Sequence, residues 1–176
     1  VGKELSITRI LGNWIGLPFQ FLGMSYFGLV KSVGQETKFL PDIPWINGHL
    51  MVINKSLFSD LGGFDEQFFM YVEEADLCFR MRESGYKVSY SSDIASIDYN
   101  SVRNNDGGIS RLVIHNSLLG HGLYFSKDRG VIIGILLRTI CSLFSILWGV
   151  VSAPFLMFSS SGRKSSISLI SGGLMA

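Results

Sequence analysis

The chain has 176 residues, a net charge of +1 and a mean hydropathy of +0.34, and only 16% of its residues are charged. This length allows one domain of ordinary size, and the composition is apolar for a purely soluble protein, so we expect association with a membrane. The near-zero charge, without a stripe of basic and aromatic residues, argues against nucleic acid as a partner.

The two cysteines and the N-terminus limit the cellular setting. Cys78 lies in an acidic segment and Cys141 in an apolar one, without the spacing of metal ligands, so we expect packing roles in a reducing compartment. The chain begins with Val1 and shows no signal peptide. It also stops just after an apolar run, and we therefore expect a fragment of a longer protein.

The first part of the chain is apolar but irregular. Residues 10–30 carry no charge, yet four glycines and Pro18 interrupt them. This pattern predicts loops and short helices, with a membrane span as the alternative. Residues 31–42 are typical of a polar linker, which Pro41 and Pro44 close.

The middle of the chain predicts an α/β layer. Residues 49–54 are typical of a short buried strand, residues 55–61 of a helical turn, and residues 71–84 of a helix that a glycine ends. Residues 86–90 and 94–98 favour two further strands. We expect the helix to lie against a sheet that these strands form.

The predicted helix carries acidic residues in two settings. Glu73, Asp76 and Arg80 follow one another at helical spacing and can form an exposed ion ladder, in which Glu73 pairs with Arg80. Glu74 instead emerges among apolar neighbours one turn away, a setting that suits a general base. A carboxylate that is merely paired with a nearby arginine is the alternative interpretation.

Three motifs resemble one enzyme family. They are WINGHLMVIN at residues 45–54, GGFDEQFFMYVEEADLCFR at residues 62–80 and GYKV at residues 85–88. In this order they resemble the C-terminal half of the catalytic domain of family 2 inverting glycosyltransferases, of the bacterial rhamnosyltransferase kind. The resemblance covers residues 45–90 and implies a partial GT-A domain, an α/β fold.

The resemblance also implies roles for individual residues. The family's base, which deprotonates the acceptor hydroxyl, falls on Glu74, where the family usually has aspartate. Asp76 would hold the acceptor or orient the helix, as a second catalytic residue. The residues that would bind substrates are Trp45, Asn47, Gly48, His49 and Glu73. For Trp45, packing in the core is the alternative.

A divalent cation is the cofactor that the resemblance implies. The family's Asp-x-Asp motif, which holds Mg²⁺ or Mn²⁺ on the nucleotide diphosphate, does not occur in the sequence, and neither does a glycine-rich phosphate loop. Tyr99 replaces the family's histidine ligand, which leaves Asp98 as a candidate ligand. We therefore expect the donor-binding half of the site to precede Val1, and the chain alone to be inactive.

The C-terminal part predicts helices that meet a membrane. Residues 109–119 favour an amphipathic helix, and the aromatic and basic stretch LYFSKDR follows at residues 123–129. Residues 131–158 contain one charge, Arg138, and are long enough to cross a hydrocarbon core of roughly 30 Å. Basic residues flank this run on both sides, and residues 167–175 begin a second apolar run, so a span and a re-entrant hairpin both stay open. A buried helix of a soluble domain is a further alternative.

These features predict an α/β protein in three parts. Residues 1–44 are acceptor-side loops, helices and a linker, residues 45–126 are the second half of a GT-A domain, and residues 127–176 associate with a membrane. The predicted reaction moves a sugar, with rhamnose or a related deoxysugar as a candidate, from a nucleotide-sugar to a lipid-linked or polysaccharide acceptor.

We expect this reaction at the cytoplasmic face of the bacterial inner membrane, in the synthesis of cell-surface glycans such as O-antigen. The first alternative is a catalytically degenerate, membrane-bound scaffold that binds glycans, because a shared fold does not guarantee shared chemistry. The second is a transporter, against which the short, polar-punctuated strands of the middle region argue.

Overall fold

A computed structural model describes residues 2, 5–20, 36–93, 111–156 and 160–176. These residues are mostly helical, with one small two-stranded sheet. The helices are α1 (Ile7–Gln20), α2 (Lys55–Asp60), α3 (Glu73–Glu83), α4 (Arg111–Arg129), α5 (Val131–Leu156) and α6 (Ser160–Met175), and the strands are β1 (Phe39–Leu40) and β2 (Tyr90–Ser91). The chain divides into two compact units, a first unit of Val1–Ser6 with Gly28–Ser101 and a second unit of Ile7–Phe27 with Val102–Ala176.

The sheet of the first unit is short. β1 and β2 are antiparallel, with the register pairs Phe39–Ser91 and Leu40–Tyr90. Beyond β1, the N–H of Ile43 still donates to the carbonyl of Val88 over 2.8 Å. Pro41 and Pro44 have no N–H to donate, so they cannot lengthen the ladder. Of the strand predicted at residues 86–90, only the last residue is therefore in the sheet.

The strand predicted at residues 49–54 is wrong. Asn54 is the N-cap of α2, and its Oδ1 accepts hydrogen bonds from the N–H groups of Ser56 and Leu57 over 2.9 and 3.3 Å. The chain thus turns into a helix, and no strand within the described ranges pairs with the segment before it. The strand predicted at residues 94–98 lies outside the described residues. In place of the predicted α/β layer, the described residues have helices and one two-stranded sheet.

The two helices predicted for the first unit are confirmed as α2 and α3. α3 ends in a Schellman motif, in which the N–H of Gly85 donates to the carbonyl of Arg82 over 2.9 Å. The N–H of Tyr86 completes the motif by donating to the carbonyl of Met81 over 3.0 Å. Gly85 has φ of 84°, a left-handed value that glycine adopts without steric cost.

The core of the first unit fixes α3 against the segments before and after it. Ile43, Cys78 and Val88 are buried together. Partly buried apolar side chains pack on these three, namely Leu40, Trp45, Ile46, Met51 and Tyr90. Trp45 therefore packs on the core, as the alternative interpretation of this residue predicted, and its carbonyl accepts the N–H of Gly2 over 2.8 Å. As a result, the segment around residue 48 is held beside α3.

The second unit consists of helices in its described part. α4, α5 and α6 pack against one another, and α1 packs on α5. α4 continues past the predicted end at residue 119 and takes in the aromatic and basic stretch at residues 123–129. Gly130, with φ of 98°, separates α4 from α5. α6 contains the second apolar run that the sequence predicted.

The predicted apolar segment at residues 131–158 is mostly helix α5. Among the described residues, Val131–Val151 is the one helical stretch long and apolar enough to cross a membrane. α1 is a continuous helix through Gly12 and Gly16, where we predicted loops and short helices. Its packing on α5 outweighs the low helix propensity of glycine.

Candidate active site

The candidate site lies at the N-terminus of α3, where the backbone is strained. Tyr71 and Val72 have left-handed φ values of 69° and 75°. Such values are rare for a β-branched residue like valine and cost about 1–3 kcal/mol each. The turn makes the helix begin at Glu73 and not at residue 71, as predicted. It puts the carboxylates of Glu73 and Glu74 in the first turn, where the helix dipole favours negative charge.

Glu73 and Glu74 are partly buried and incompletely hydrogen-bonded. The Oε2 atom of each carboxylate is buried and has no hydrogen-bond partner among the described residues. Leaving a buried acceptor unsatisfied costs about 1–3 kcal/mol, so such atoms in a folded protein call for an explanation. A substrate hydroxyl that donates to the carboxylate would supply the missing hydrogen bond.

Gly48 lies beside the carboxylate of Glu74. A Cβ atom built on Gly48 would be 3.9 Å from Cβ, Cδ and Oε1 of Glu74. Gly48 is exposed and has no side chain, so no side chain of residue 48 lies over this carboxylate. The structure thus brings together the glycine and the glutamate that the resemblance assigned to substrate binding and catalysis.

Burial and charge change the titration of two neighbours of Glu74. Burial raises the pKa of the Glu73 carboxyl above its ordinary 4.5. A hydrogen bond from the backbone N–H of Glu73 lowers this pKa in part, and the negative charge of Glu74 raises it. Burial also raises the pKa of Tyr71 above its ordinary 10.0, and the charges of Glu73 and Glu74 raise it further. Tyr71 and Glu73 therefore hold their protons more firmly than they would in water.

Asp76 and Arg80 form an ion pair that supports the site. Asp76 is buried, with 2% exposure, and its Oδ2 accepts a hydrogen bond from Nε of Arg80 over 2.7 Å. The guanidinium also donates to the carbonyls of Leu61 and Gly63, over 2.7 and 2.8 Å. The predicted pairing of Glu73 with Arg80 is therefore wrong, because the fork of the guanidinium is occupied by Asp76 and the turn after α2.

The segment before α2 contacts the face of α3 that carries Cys78 and Glu74. The thiol of Cys78 is buried, and burial raises its pKa. The backbone of Ile46 lowers that pKa through a hydrogen bond, and the charge of Glu74 raises it. Cys78 has the packing role that we predicted from the sequence. Its contacts hold Ile46, and hence the neighbouring Gly48, at the helix.

Asn47 and His49 flank Gly48 and are exposed. Their side chains are joined by a hydrogen bond of 2.6 Å between Nδ1 of His49 and Oδ1 of Asn47. The protonated Nδ1 donates, because Oδ1 can only accept. This bond joins two exposed polar side chains on either side of Gly48.

The described residues contain no metal centre. No group of three His, Cys, Asp or Glu side chains converges within residues 2, 5–20, 36–93, 111–156 and 160–176 as metal ligands do. The candidate ligand Asp98 lies outside the described residues. The divalent cation that the resemblance implies therefore stays a prediction, and no chemical step is derived through it.

Sequence reasoning missed two features of this site. The first is the left-handed pair before α3, for which Tyr71 and Val72 give no signal, because tyrosine and valine normally avoid such φ values. The second is the contact of Arg80 with two carbonyls. The spacing of Asp76 and Arg80 indicated their ion pair, but the fold alone brings the turn after α2 to the guanidinium.

Comparisons with known proteins relate part of the chain to transferases. Over 74 residues the chain is 28% identical to an N-acetylglucosaminyl-diphospho-decaprenol L-rhamnosyltransferase of Mycobacterium tuberculosis. These aligned residues make up 42% of this chain and 24% of that enzyme. Over 57 residues, which are 32% of this chain and 22% of the relative, it is 35% identical to rhamnosyltransferase WbbL of Escherichia coli. Over 70 residues, which are 40% of this chain and 23% of the relative, it is 29% identical to a low-salt glycan biosynthesis hexosyltransferase of Haloferax volcanii.

These matches relate the chain to glycosyltransferases that carry rhamnosyl or hexosyl in their names. The chain spans about a quarter of the length of these curated relatives. No family model matches the chain, and no solved structure matches it.

Proposed function

We propose that the chain is part of an inverting glycosyltransferase of the GT-A type. It would act on a nucleotide-sugar donor and a lipid-linked or polysaccharide acceptor, and contribute the acceptor side of the active site. The observation that carries this proposal is the carboxylate of Glu74 beside the exposed Gly48, with a buried Oε2 that has no hydrogen-bond partner among the described residues. The relatives' names support the same class of reaction.

Glu74 is the general base of the proposed reaction. Its carboxylate takes the proton of an acceptor hydroxyl while that oxygen forms a bond to the anomeric carbon of the donor sugar. The bond from this carbon to the diphosphate oxygen breaks, and the nucleoside diphosphate leaves with the electron pair. Attack from the side opposite to the leaving group inverts the anomeric configuration. Glutamate is one methylene longer than the aspartate usual in the resembled family, so the carboxylate lies further from the backbone than the family's base does.

The other site residues assist this step in the proposal. Asp76, paired with Arg80 and buried, orients α3, which favours the second of its two expected roles. Asn47 and His49 would contact sugar hydroxyls, because their polar groups are exposed beside Gly48. Glu73 would contact the acceptor through its unsatisfied Oε2. Trp45 would contribute to the sugar pocket only through the part of its ring that the core leaves uncovered.

The proposed substrates follow the relatives' names. Two relatives are rhamnosyltransferases, so rhamnose or a related deoxysugar is the first donor to test. One name contains N-acetylglucosaminyl-diphospho-decaprenol, and an acceptor sugar on a polyprenyl diphosphate is therefore the first acceptor class to test. A product of this kind belongs to the synthesis of cell-envelope polysaccharides, O-antigen among them.

The proposed location is the cytoplasmic face of the cell membrane. The length and apolar composition of Val131–Val151 support a membrane helix. A lipid-linked acceptor would be presented at the same surface. Mg²⁺ or Mn²⁺ is expected in the full-length enzyme from the resemblance, with ligands outside the described residues.

The test of this function uses membranes that contain the longer protein in which we propose this sequence lies. Labelled nucleotide-sugars, with the rhamnosyl donor first, are added with a lipid-linked N-acetylglucosamine acceptor, and the lipid extract is analysed for a new glycan. Membranes without the protein are the control. We expect transfer of one donor's sugar to the lipid fraction. Glycan binding without transfer of any donor's sugar would support the degenerate scaffold and contradict the enzyme.

A further inference from the structure

α5 has one long side that no part of the described protein covers. The residues on this side are Ile132, Leu136, Ile140, Leu143, Leu147 and Val150, which we call the outer stripe. Their side chains are 39–75% exposed. Spacings of three and four residues put all six on one face of the helix. A stripe of exposed apolar residues this long needs a partner other than water.

The opposite side of α5 is packed closely against α4 and α6 through small residues. Gly134 of α5 meets Gly122 and Ser126 of α4 so closely that a Cβ on Gly134 would overlap them. On α6, a Cβ built on Gly173 would be 2.9 Å from the carbonyl oxygen of Ser142 in α5. Close helix contacts at glycine and serine are typical of helices packed inside a bilayer.

Three polar side chains of α5 face inward or bond within the helix. Ser145 is buried, and its hydroxyl donates to the carbonyl of Leu169 in α6 over 2.8 Å. Arg138 lies against α4, because a Cβ built on Gly122 would be 3.1 Å from the Cβ of Arg138. The exposed Thr139 donates to the carbonyl of Ile135 over 2.9 Å, so its hydroxyl needs no water.

The dimensions of the outer stripe match the hydrocarbon core of a bilayer. From residue 132 to residue 150 the helix rises about 27 Å at 1.5 Å per residue. A hydrocarbon core is about 30 Å thick. The stripe has no charged residue over this length, since the one charge of the helix, Arg138, is on the inner side.

We propose that the outer stripe of α5 lies against the acyl chains of the membrane, while α4 and α6 cover the inner side of the helix. The inference rests on the proposed membrane location and goes beyond it, because it assigns the lipid-facing side. A second copy of the chain packed on the outer stripe is the alternative, and it would also leave the hydroxyl of Thr139 bonded to the carbonyl of Ile135. A contact between two copies, however, would not require a charge-free stripe as long as a bilayer core is thick.

The test uses spin labels on the full-length protein in vesicles of phosphatidylcholine and phosphatidylglycerol. Labels are attached at Leu136→Cys and Leu143→Cys of the outer stripe, in a background with Cys78→Ala and Cys141→Ala. Asp128→Cys, at the exposed end of α4, is the matched control. We expect stripe labels to collide with oxygen and not with a water-soluble nickel complex, and the control label to show the reverse.

Two results would overturn the lipid-facing stripe. One is free collision of stripe labels with the nickel complex, which would mean contact with water. The other is shielding from both reagents together with broadening from a second label, which would mean contact between two copies. A separate assay of sugar transfer keeps the two proposals apart, since a lipid-facing stripe in an inactive protein would contradict only the enzyme.

A second variant pair tests the stripe without labels. Leu143→Lys puts a charge near the middle of the stripe and should lower the equilibrium constant for insertion into the membrane by roughly a hundredfold, so that less protein stays with washed membranes. Leu143→Ala removes the same side chain without adding charge and should stay with the membranes. Equal retention of both variants would contradict the proposal.

Discussion

Gly48 lies so close to Glu74 that a side chain at residue 48 would contact the carboxylate. The gap of 3.9 Å between a Cβ on residue 48 and the glutamate is an ordinary van der Waals distance. A methyl group would therefore fit without moving the backbone. In the proposed reaction, it would nevertheless stand beside the carboxylate that takes the proton of the acceptor hydroxyl. Activity and folding can thus be separated at this position.

Gly48→Ala is expected to reduce kcat/KM for the acceptor by about 10–100-fold, because a small displacement of the attacking hydroxyl is costly. The KM for the donor should change little. Steady-state kinetics with varied acceptor measure the effect, and thermal unfolding in detergent is the control for folding. An unchanged kcat/KM, with the fold intact, would show that the acceptor approaches Glu74 from another side.

Glu73 is expected to make stability depend on pH. Its pKa is raised above 4.5, so the folded state binds its proton more firmly than the unfolded state. Stability therefore falls as pH rises from the ordinary value through the raised one, and the cost of ionising Glu73 persists at neutral pH. Glu73→Gln should therefore raise the midpoint temperature of thermal unfolding at pH 7, and it should have less effect on that temperature near pH 4.

The exposed Glu83, at the other end of α3, provides the control for this measurement. Glu83→Gln should give the same small difference from wild type at both pH values. The quantity to compare is the difference in stability between Glu73→Gln and wild type at each pH. If this difference is no larger at pH 7 than at pH 4, the result would contradict a raised pKa of Glu73.

Among the elements of the first unit, α3 is tied to the turn after α2 by Arg80. One guanidinium serves a buried carboxylate, Asp76, and two carbonyls of the turn, those of Leu61 and Gly63. These bonds fix the helix whose first turn carries Glu73 and Glu74. The site thus depends on an ion pair that lies outside the proposed chemistry.

Arg80→Met is expected to destabilise the protein by about 3 kcal/mol, because the buried carboxylate of Asp76 would lose its ion pair with Arg80. This is the low end for a broken buried pair, since the Arg80 side chain is 23% exposed. Arg82→Met, at an exposed position on the same helix, should cost no more than about 0.5 kcal/mol. Unfolding in detergent by urea compares the two, and equal losses would contradict the role of Arg80.

Gly62 makes the turn that Arg80 holds. Its φ of 76° is left-handed, and nothing lies within 4 Å of a Cβ built there. Gly62→Ala should therefore cost about 1–2 kcal/mol through backbone strain alone. Gly62→Asn should cost less, because asparagine tolerates this conformation. Urea unfolding measures both variants, and an alanine variant as stable as the asparagine variant would contradict the strain.

The predictability of these elements follows from the range of the interactions that form them. The glycines and the caps around α2 and α3 act within a few residues, so the sequence predicts both helices. Pairing of strands depends on distant segments, and the strand predicted at residues 49–54 fails because a local cap at Asn54 competes with it. The left-handed Val72 runs against its own preference, and no local pattern could predict it.

In the molecule as a whole, the two units correspond to two parts of the proposed function. The first unit holds Glu74 and Gly48, and the second holds α5 with its outer stripe. The chain aligns with about a quarter of each glycosyltransferase that it matches. The sequence could predict the acid and the glycine that meet in the first unit. It could not predict which side of α5 is covered, because that depends on how three helices pack.

The most direct test of the account is the kcat for sugar transfer by Glu74→Gln in the full-length, membrane-bound protein. Glutamine keeps the size of the side chain and removes the base, so we expect kcat to fall by about 10²–10⁴-fold while donor binding is kept. Glu83→Gln, on the same helix and exposed, should transfer sugar like wild type. A Glu74→Gln variant with wild-type kcat would contradict the assignment of Glu74 as the base.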